Sequence, residues 1–560
     1  MSFHSIEQSK LVAQTIKNIE KLLSSPLFSG DPAKADTKLS EPVSTLCRVI
    51  RELNFLTGSF VQKSPEARGG LDPNQELLRT CGGLAVLVSL NPYGKLLNQN
   101  QLEELYKKLV TPQTVDKLTF STFQSLIESS QQMLAQVEQL LPENLDPDYK
   151  RQQSILLCAL TDIYADLGKN KEIVKSIDLT GDHDIDFRRL LRESSDEQFV
   201  KMFPTSKRLH PSFQQLLRKS LLVSFNFGHI MQGETCPVAL KSLLSESPET
   251  RQFVIHHHIR DIASARSHVV AQGSDILIEQ KVSDMLVFLD AAKHSTSTTE
   301  LFNEFYQNKK FPEQIENYTA AKTIQEALAL KLLALTFRVE QHPERIEPLI
   351  HAWEKLSFDE KEILIDHHSR TGSDTEKPFF VITYRPGFVD NLCNEFQTHS
   401  NNNLVTPIHC GLRCLADIFS RAESLNRTNS DLSVLNQSLV VVVGAVFAKE
   451  AALGLAANLL DQNINPVSNM DLFVGMTPQN GSIVLEYPAH KSLTRHEDGR
   501  FRPSDLYDFE FLRTSFEGTQ VGGSISLPGG TVFPRPPVGY VWQISDGYAL
   551  LALDTHKSSK

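Results

Sequence analysis

Two carboxylates and an ammonium group near the end of one predicted helix have the residue types and spacing of a chemical site. Asp162 and Asp166 stand at positions i and i+4, so both carboxylates face the same side of the helix. Lys169 follows at the rim of that face, after Gly168, which we expect to end the helix. Carboxylates ligate hard divalent cations, and a lysine offsets the charge of an anionic ligand. The spacing therefore predicts one cleft that both aspartates face.

A second predicted helix carries further ligand-type side chains. Four of them fall on one of its faces: His257, Asp261, Ser264 and His268. His257 and Asp261 are one turn apart and could chelate a single ion. His268 lies about 10 Å beyond Asp261 along the helix axis, so it would need another ion or a substrate group. Arg260 and Arg266 could receive phosphate oxygens.

The sequence from Ala165 to Asp184 resembles the metal-binding core of HD-type phosphohydrolases. It reads A-D-L-G-K-N-K-E-I-V-K-S-I-D-L-T-G-D-H-D and contains the D-L-G-K and H-D elements of such a core. The resemblance implies that Asp166 bridges metal ions and that His183 is the downstream histidine ligand. It also implies that Asp261 is the closing aspartate from a later helix, so that these three residues form a minimal ligand set.

The resemblance extends to roles for the remaining polar residues. The predicted metal ligands are Asp166, His183, Asp184, His257 and Asp261, the predicted catalytic residues are Asp162 and Lys169, and the predicted substrate contacts are Arg260, Arg266 and His268. A carboxylate-rich set with few imidazoles favours Mn²⁺, Mg²⁺ or Fe over Zn²⁺. Such a metal would lower the pKa of a bound water and orient a phosphoester, while Lys169 or Arg266 offsets the phosphate charge.

The chain departs from the HD pattern at two histidines. Ala165 stands where a histidine would precede Asp166, and no histidine lies between His4 and His183. A site that lacks two ligands is typical of a pseudoenzyme or of a divergent family, although Asp162 could substitute for one of them. From residue 75 to 460 the organisation also resembles an uncharacterised, mostly helical family of bacteria and fungi in which N-D-L-G-K precedes H-D.

Two classes of function follow from these residues. The first is a degenerate HD-like protein, either a metal-dependent phosphohydrolase or a binder of a nucleotide or phosphoester. The second is a non-catalytic protein-interaction scaffold, for which a secreted bacterial effector is one setting. Its support is the incomplete ligand set and the proline-rich segment P-G-G-T-V-F-P-R-P-P at residues 528–537, which could contact a protein partner.

The same residues also have structural interpretations. D-L-G-K can be only a helix C-cap, His183-Asp184 only a turn, and histidines 256–258 only an exposed polar helix face. Residues 178–189 resemble a calcium-binding EF-hand loop. However, His183 replaces the glycine of the sixth position, and Arg189 replaces the glutamate of the twelfth.

Apolar residues at three- and four-residue spacing predict a mainly α fold over the first 460 residues. The predicted helices are Ile6–Leu23, Val43–Leu56, Gln75–Leu90, Gln101–Leu109, Ser121–Leu141, Arg151–Leu167, Pro211–Val223, Pro248–Ala271, Asp275–His294, Ala320–Gln341, Pro348–Leu356, Gly411–Leu425 and Leu439–Leu460. Pro378–Tyr384 suits a short strand. We expect a multi-helix, HD-like array with a small β-rich or irregular C-terminal region, divided into residues 1–72, 73–370, 371–465 and 466–560.

Composition excludes several classes of protein. The 560 residues carry 56 basic and 67 acidic side chains, and a net charge of −11 argues against a nonspecific nucleic-acid binder. The 7 cysteines are scattered without a C-x-x-C pair, as expected of buried, reduced thiols. The apolar run Leu439–Ala448 is too short to span a membrane, and we interpret it as a core helix. With no signal peptide at the N-terminus, we expect a cytoplasmic protein or one delivered by a specialised secretion system.

Overall fold

The computed structural model describes helices between residues 3 and 428 and short strands from residue 380 onward. The described residues are 3–21, 41–56, 75–91, 99–109, 118–177, 183–264, 278–370, 380–382, 385–399, 404–428, 439–442, 475–479, 482–486, 493–495, 501–503, 525–526, 532–533, 540–545 and 548–553.

The chain is a mainly α, multi-helix array, which confirms the predicted fold class. The α-helices are α1 Phe3–Glu20, α2 Glu41–Val49, α3 Gln75–Leu90, α4 Gln99–Leu109, α5 Phe120–Glu138, α6 Pro147–Ala165, α7 Lys171–Val174, α8 His183–Glu193, α9 Asp196–Met202, α10 Pro211–Leu222, α11 Phe227–Met231, α12 Lys241–Leu244, α13 Pro248–Ser264, α14 Glu279–His294, α15 Thr298–Asn308, α16 Glu313–Thr319, α17 Ile324–Thr336, α18 Ile346–Lys355, α19 Phe358–Ser369, α20 Arg385–His399 and α21 Val405–Thr428. The prediction for Gln75–Leu90 coincides with α3, whereas α7 and α16, with 4 and 7 residues, have too few turns to show a clear period.

Contacts between residues divide the chain into two compact units. Unit 1 comprises residues 1–62, 72–228 and 239–310, and unit 2 comprises residues 63–71, 229–238 and 311–560. Unit 1 thus holds α1 to α10 and α12 to α15, while unit 2 holds α16 to α21 and the strands. The division into four regions at residues 72, 370 and 465 stays a prediction.

The core of unit 1 is built around α6, which is buried on all sides over its second half. The Asp146 carboxylate accepts a hydrogen bond from the Tyr149 amide, and Pro147 stands in the first turn, so the helix start is well defined. Every residue from Gln153 to Tyr164 is buried. Because Asp162 lies in this stretch, its charge needs partners inside the protein.

Helix α13 packs against α6 and supplies those partners, while α3 and α5 also pack against α6. α3 approaches α13 closely, since a Cβ on Gly83 would lie 3.6 Å from the Ser264 side chain. His256, His257 and Arg260 on α13 are buried as a result. The interpretation of histidines 256–258 as an exposed polar face is therefore wrong, because α13 is enclosed by neighbouring helices.

Unit 2 combines the helices α16 to α21 with short strands. The capping box at Ser357 begins α19, and the Leu- and Ala-rich α17, which packs against it, is buried from Leu328 to Leu330 and from Leu332 to Thr336. The chain leaves α17 through Arg338, which has a positive φ of 52°. Its amide and that of Val339 donate to the carbonyls of Leu335 and Ala334, as in a Schellman helix ending.

The described strands form three sheets within unit 2. The strands are β1 Phe380–Ile382, β2 Leu439–Val442, β3 Gly475–Gln479, β4 Ser482–Glu486, β5 Leu493–Arg495, β6 Phe501–Pro503, β7 Ile525–Ser526, β8 Val532–Phe533, β9 Tyr540–Ser545 and β10 Tyr548–Leu553. Their orders are β1-β2-β4-β3, β5-β6-β10-β9 and β7-β8. In the first sheet β2 pairs in parallel with both β1 and β4, and Val441 stands opposite Ile382 and Ile483.

One predicted helix is corrected by this sheet. Leu439–Val442, the start of the apolar run that we interpreted as a helix, is strand β2. Its L-V-V-V sequence is β-branched, which favours a strand buried on both faces, and a short apolar run does not distinguish the two states by period. The rest of that run and most of residues 466–560 lie outside the described residues, so a β-rich or irregular C-terminal region stays a prediction.

No helix in the described part of the chain is both long and apolar enough to cross a membrane. The 7 cysteines all fall within that part, and each is a buried free thiol, as predicted.

Candidate functional site

Gly168 sets the geometry at the end of α6. The helix ends at Ala165, and Asp166–Lys169 continues as one 3₁₀ turn. A Cβ on Gly168 would lie 2.4 Å from the His183 carbonyl oxygen and 2.7 Å from the Phe187 Cβ. The glycine is therefore needed because α8 packs directly on this turn, and not as the left-handed helix cap that we expected.

Asp162 receives two side chains from α13. The Arg260 guanidinium donates from Nε to Oδ2 at 2.7 Å and from Nη2 to Oδ1 at 2.9 Å, a bidentate pair. His257 Nδ1 lies 2.7 Å from the same Oδ1. A hydrogen bond at this contact uses a proton on Nδ1, and in a neutral imidazole the lone pair is then on Nε2.

Asp166 is bound by α3 and by its own turn. Lys169 Nζ lies 2.7 Å from Asp166 Oδ1 and 2.8 Å from Glu76 Oε2, so the ammonium bridges two carboxylates. Thr80 Oγ1 donates to Asp166 Oδ2 at 2.8 Å. Arg79 completes the group, with Nη1 3.1 Å from Glu76 Oε1.

Asp261 connects the two groups of side chains. It stands one turn from His257 on α13 and interacts electrostatically with Asp166, Arg79 and Lys169. We call the whole set the unit 1 cluster; it comprises Glu76, Arg79, Thr80, Asp162, Asp166, Lys169, His257, Arg260 and Asp261. The half-buried Asp261 and Arg79, whose side chain is 25% exposed, form its solvent side.

Asp166 and the neighbouring Asp261 have carboxyl pKa values that are shifted in opposite directions. Burial alone would raise the pKa of Asp166, but the charges of Lys169 and Arg79 and the hydrogen bonds from Lys169 and Thr80 lower it. Burial and the nearby Asp166 charge raise the pKa of Asp261. Opposite shifts of neighbouring carboxyls are typical of acid–base sites, where one group stays ionised and the other can carry a proton.

Two guanidinium nitrogens of the cluster have no hydrogen-bond partner among the described residues. Arg260 is 1% exposed, and its buried Nη1 has no hydrogen-bond acceptor there. Arg79 Nε is also buried and has no hydrogen-bond acceptor among the described residues. Buried donors are satisfied in nearly all proteins, so two unpartnered guanidinium nitrogens in one cluster point to an acceptor that binds there.

The predicted metal-ligand set is not brought together. His183 Nε2 lies 3.3 Å from Asp184 Oδ1, and both side chains are 39% exposed at the start of α8. Both Asp166 oxygens are already bound, by Lys169 and by Thr80. Across the described ranges, the three-ligand groups whose atoms lie within 4.8 Å of one another include none of the predicted metal ligands. The ammonium of Lys169 fills the space between Asp166 and Glu76, so these two carboxylates do not suit a divalent metal. A metal ion at the other predicted ligands stays a prediction.

The other predicted residues have different outcomes. Asp162, Asp166, Lys169, His257, Arg260 and Asp261 meet in the unit 1 cluster. Arg266 and His268 lie outside the described residues. His183 to Arg189 are helical in α8, which the EF-hand interpretation does not allow, because its sixth position must turn. Of the segment 528–537, the described part is β8 Val532–Phe533.

Sequence reasoning missed the contribution of α3. Glu76, Arg79 and Thr80 stand on one face of its first turns, immediately before the apolar run L-A-V-L-V-S-L. Polar residues at i, i+3 and i+4 are usual on a solvated helix face, so nothing in their spacing marked them as buried. Their depth follows from α3 lying between α6 and α13.

A second polar cluster lies in unit 2, at the end of α19. Asp366, His367 and Glu423 place one ligand-type atom each within 4.8 Å of one another. Arg370 Nη2 occupies the space between them, 2.5 Å from Asp366 Oδ2 and 3.3 Å from His367 Nε2, and it also contacts Glu423 Oε1. The His367 ring stacks on Phe419 with centroids 4.3 Å apart. We call these four polar residues the unit 2 cluster.

Comparison with known proteins gives a family but no activity. A family model described as a family of unknown function (DUF6829) matches residues 101–451. The matched range contains the α6 and α13 residues of the unit 1 cluster but not those of α3. No curated protein and no solved structure matches the chain. The resemblance to HD-type phosphohydrolases stays a prediction, since the comparisons do not link the chain to them.

Proposed function

The chain belongs to the family of unknown function DUF6829, and we propose that its unit 1 cluster binds a small phosphorylated ligand. The observation that carries the proposal is Arg260, which is buried on Asp162 with its Nη1 left without an acceptor in the described residues. A phosphate oxygen would supply that acceptor. Guanidinium groups match phosphate geometry, and Arg79 and Lys169 add two further cations in the same cluster.

Charge balance limits the form in which an anion binds. Three cations, Arg79, Lys169 and Arg260, stand beside four carboxyl groups, so a fully ionised cluster repels an anion. Asp261 is the carboxyl whose pKa is raised, by burial and by Asp166. Its protonation removes one negative charge and supplies an O–H donor. The proposed complex therefore takes up a proton when the phosphate binds.

The proposal is tested by calorimetric titration with phenylphosphonate, a stable phosphate ester mimic. We expect binding that weakens as the pH rises through the raised pKa of Asp261. Arg79→Gln should weaken binding at least tenfold, since the loss of one charge-assisted contact costs roughly 1.5–3 kcal/mol. The matched control is Arg151→Gln: Arg151 is 22% exposed against 25% for Arg79, pairs with Glu138 at 3.2 Å, and lies near the other end of α6.

The outcomes separate clearly. Loss of affinity in Arg79→Gln but not in Arg151→Gln supports the site. Equal affinity in the two variants, or no heat of binding with the wild-type protein, would overturn the proposal.

A further inference from the structure

The arrangement around His257 goes beyond ligand binding. His257 Nδ1 is held 2.7 Å from Asp162 Oδ1, which fixes the ring orientation. Asp162 is itself fixed by the bidentate Arg260 contact. The His257 side chain is 10% exposed, and within the described residues its Nε2 makes no hydrogen bond. An imidazole held through one nitrogen by a buried carboxylate, with the other nitrogen free, is the arrangement of a general base.

We propose that the unit 1 cluster hydrolyses a phosphate monoester without a metal ion, with His257 as general base and Asp261 as proton donor. The inference rests on the proposed function, because the phosphoryl group must first lie against Arg260 and Arg79. Asp162 is a positioning residue in this scheme, since it touches His257 and not the reacting atoms.

The proposed step is balanced in protons and in the bonds that form and break. His257 Nε2 takes a proton from water, and the water oxygen forms a bond to phosphorus. The ester P–O bond breaks, and the leaving oxygen takes the proton of the Asp261 carboxyl. The products are an alcohol and inorganic phosphate; the proton on His257 then returns through solvent to Asp261.

Charge stabilisation comes from side chains that are already in place. Lys169, Arg79 and Arg260 stand where a metal-dependent enzyme would use a divalent cation to offset phosphoryl charge. Asp261 faces Asp166 and Lys169 from the α6 end, Arg79 from α3 and His257 from its own helix. Burial and the Asp166 charge raise the pKa of Asp261 against the lowering effect of Arg79, Lys169 and His257, which is consistent with a carboxyl that keeps its proton in the bound state.

The test uses the full-length protein with p-nitrophenyl phosphate in a buffer that contains a metal chelator. We expect His257→Gln to lower kcat by about 10²- to 10⁴-fold with little change in KM, as for loss of a general base. His210→Gln is the control, a half-buried histidine of the same unit that caps the start of α10. Asp162→Asn should lower kcat and move the pH–rate profile, which a purely structural residue would not do.

The outcomes distinguish this inference from the proposed function. Full turnover by His257→Gln, or wild-type turnover that the chelator abolishes, contradicts metal-free catalysis by His257. Phenylphosphonate binding without p-nitrophenyl phosphate hydrolysis overturns the catalytic inference alone. Absence of both overturns the proposed function as well. Should Asp162→Asn fail to fold, His257→Gln still decides the question.

Discussion

The two polar clusters contain the same residue types in opposite arrangements. In the unit 1 cluster the aspartate Asp162 is central, and the Arg260 guanidinium and the His257 imidazole both bind to it. In the unit 2 cluster the guanidinium of Arg370 is central, and two carboxylates and an imidazole surround it. The central charge is negative in one case and positive in the other.

This difference decides which ligand each cluster could take. In the unit 2 cluster Arg370 already fills the position of a cation between Asp366 and Glu423. In the unit 1 cluster Asp162 accepts hydrogen bonds from only two of the three Arg260 guanidinium nitrogens, and Arg260 Nη1 still lacks an acceptor in the described structure. Similar residue lists therefore do not imply similar sites; the sign of the charge at the centre of the cluster matters more.

The largest expected effect is on stability, and it should differ between the clusters because their charges are buried to different degrees. Asp162→Ala leaves the Arg260 charge, which is 1% exposed, without its carboxylate, and should destabilise unit 1 by roughly 3–5 kcal/mol. Arg370→Ala leaves carboxylates whose side chains are 44% and 25% exposed, so water can solvate them, and should cost about 1 kcal/mol. Thermal unfolding of both variants measures the difference; equal losses would remove the contrast between the clusters.

Alanine substitutions at two glycines test whether Gly168 of D-L-G-K is required for the packing of α8 on this turn. Gly168→Ala places a Cβ 2.4 Å from the His183 carbonyl and should destabilise by about 2–3 kcal/mol, because α8 must move. Gly83→Ala places a Cβ 3.6 Å from Ser264, an ordinary contact, and should be neutral or stabilise by up to about 1 kcal/mol through helix propensity. Chemical denaturation of both variants is the measurement. A tolerated Gly168→Ala would show that the contact with α8 is not the reason for this glycine.

Two aspartates should change the pH dependence of stability in opposite directions. The pKa of Asp166 is lowered on folding, so its contribution is present above its unfolded pKa and is lost as the pH falls through the folded pKa. Asp166→Asn should thus destabilise at neutral pH and matter little in strong acid.

The contribution of Asp261 to the stability of the fold depends on pH in the opposite direction. Its pKa is raised on folding, so the stability it contributes is present at low pH and is lost as the pH rises through the folded pKa. Asp261→Asn should therefore stabilise modestly at neutral pH, and the gain should disappear on acidification. Melting temperature against pH for both variants is the measurement; shifts of the same sign would refute the opposed environments.

The smallest expected effect concerns metal ions. Lys169 bridges Asp166 and Glu76, so added Mn²⁺ should leave the melting temperature of the wild-type protein unchanged within about 1 °C. Lys169→Ala removes the ammonium from between the carboxylates and should gain a small Mn²⁺-dependent stabilisation. A large Mn²⁺ effect on the wild-type protein would restore the metal-dependent hypothesis.

The sequence predicted the α6 and α13 parts of the site because they depend on local spacing. Asp162 and Asp166 at i and i+4, and His257 and Asp261 at i and i+4, do share one cluster. The predicted metal set stays a prediction; in the described structure His183 and Gly168 meet through a backbone contact, which residue types alone cannot distinguish from a shared ligand. The α3 residues depend on tertiary packing, and helix periodicity carries no information about which helices become neighbours.

The positions of helices were likewise predicted well where they depend on local spacing and poorly where they depend on long-range contacts. Long periodic helices such as α3 and α6 were predicted closely, whereas Leu439–Val442 pairs between β1 and β4, a long-range contact that overrides its apparent helical context.

The most direct test of the central claim, that the unit 1 cluster binds a phosphoryl group, is a crystal soaked in tungstate, a heavy-atom mimic of phosphate. We expect anomalous density within hydrogen-bond distance of Arg260 Nη1 and on the Asp261 side of the cluster. Tungstate bound to other parts of the protein, with the unit 1 cluster unchanged, would contradict it.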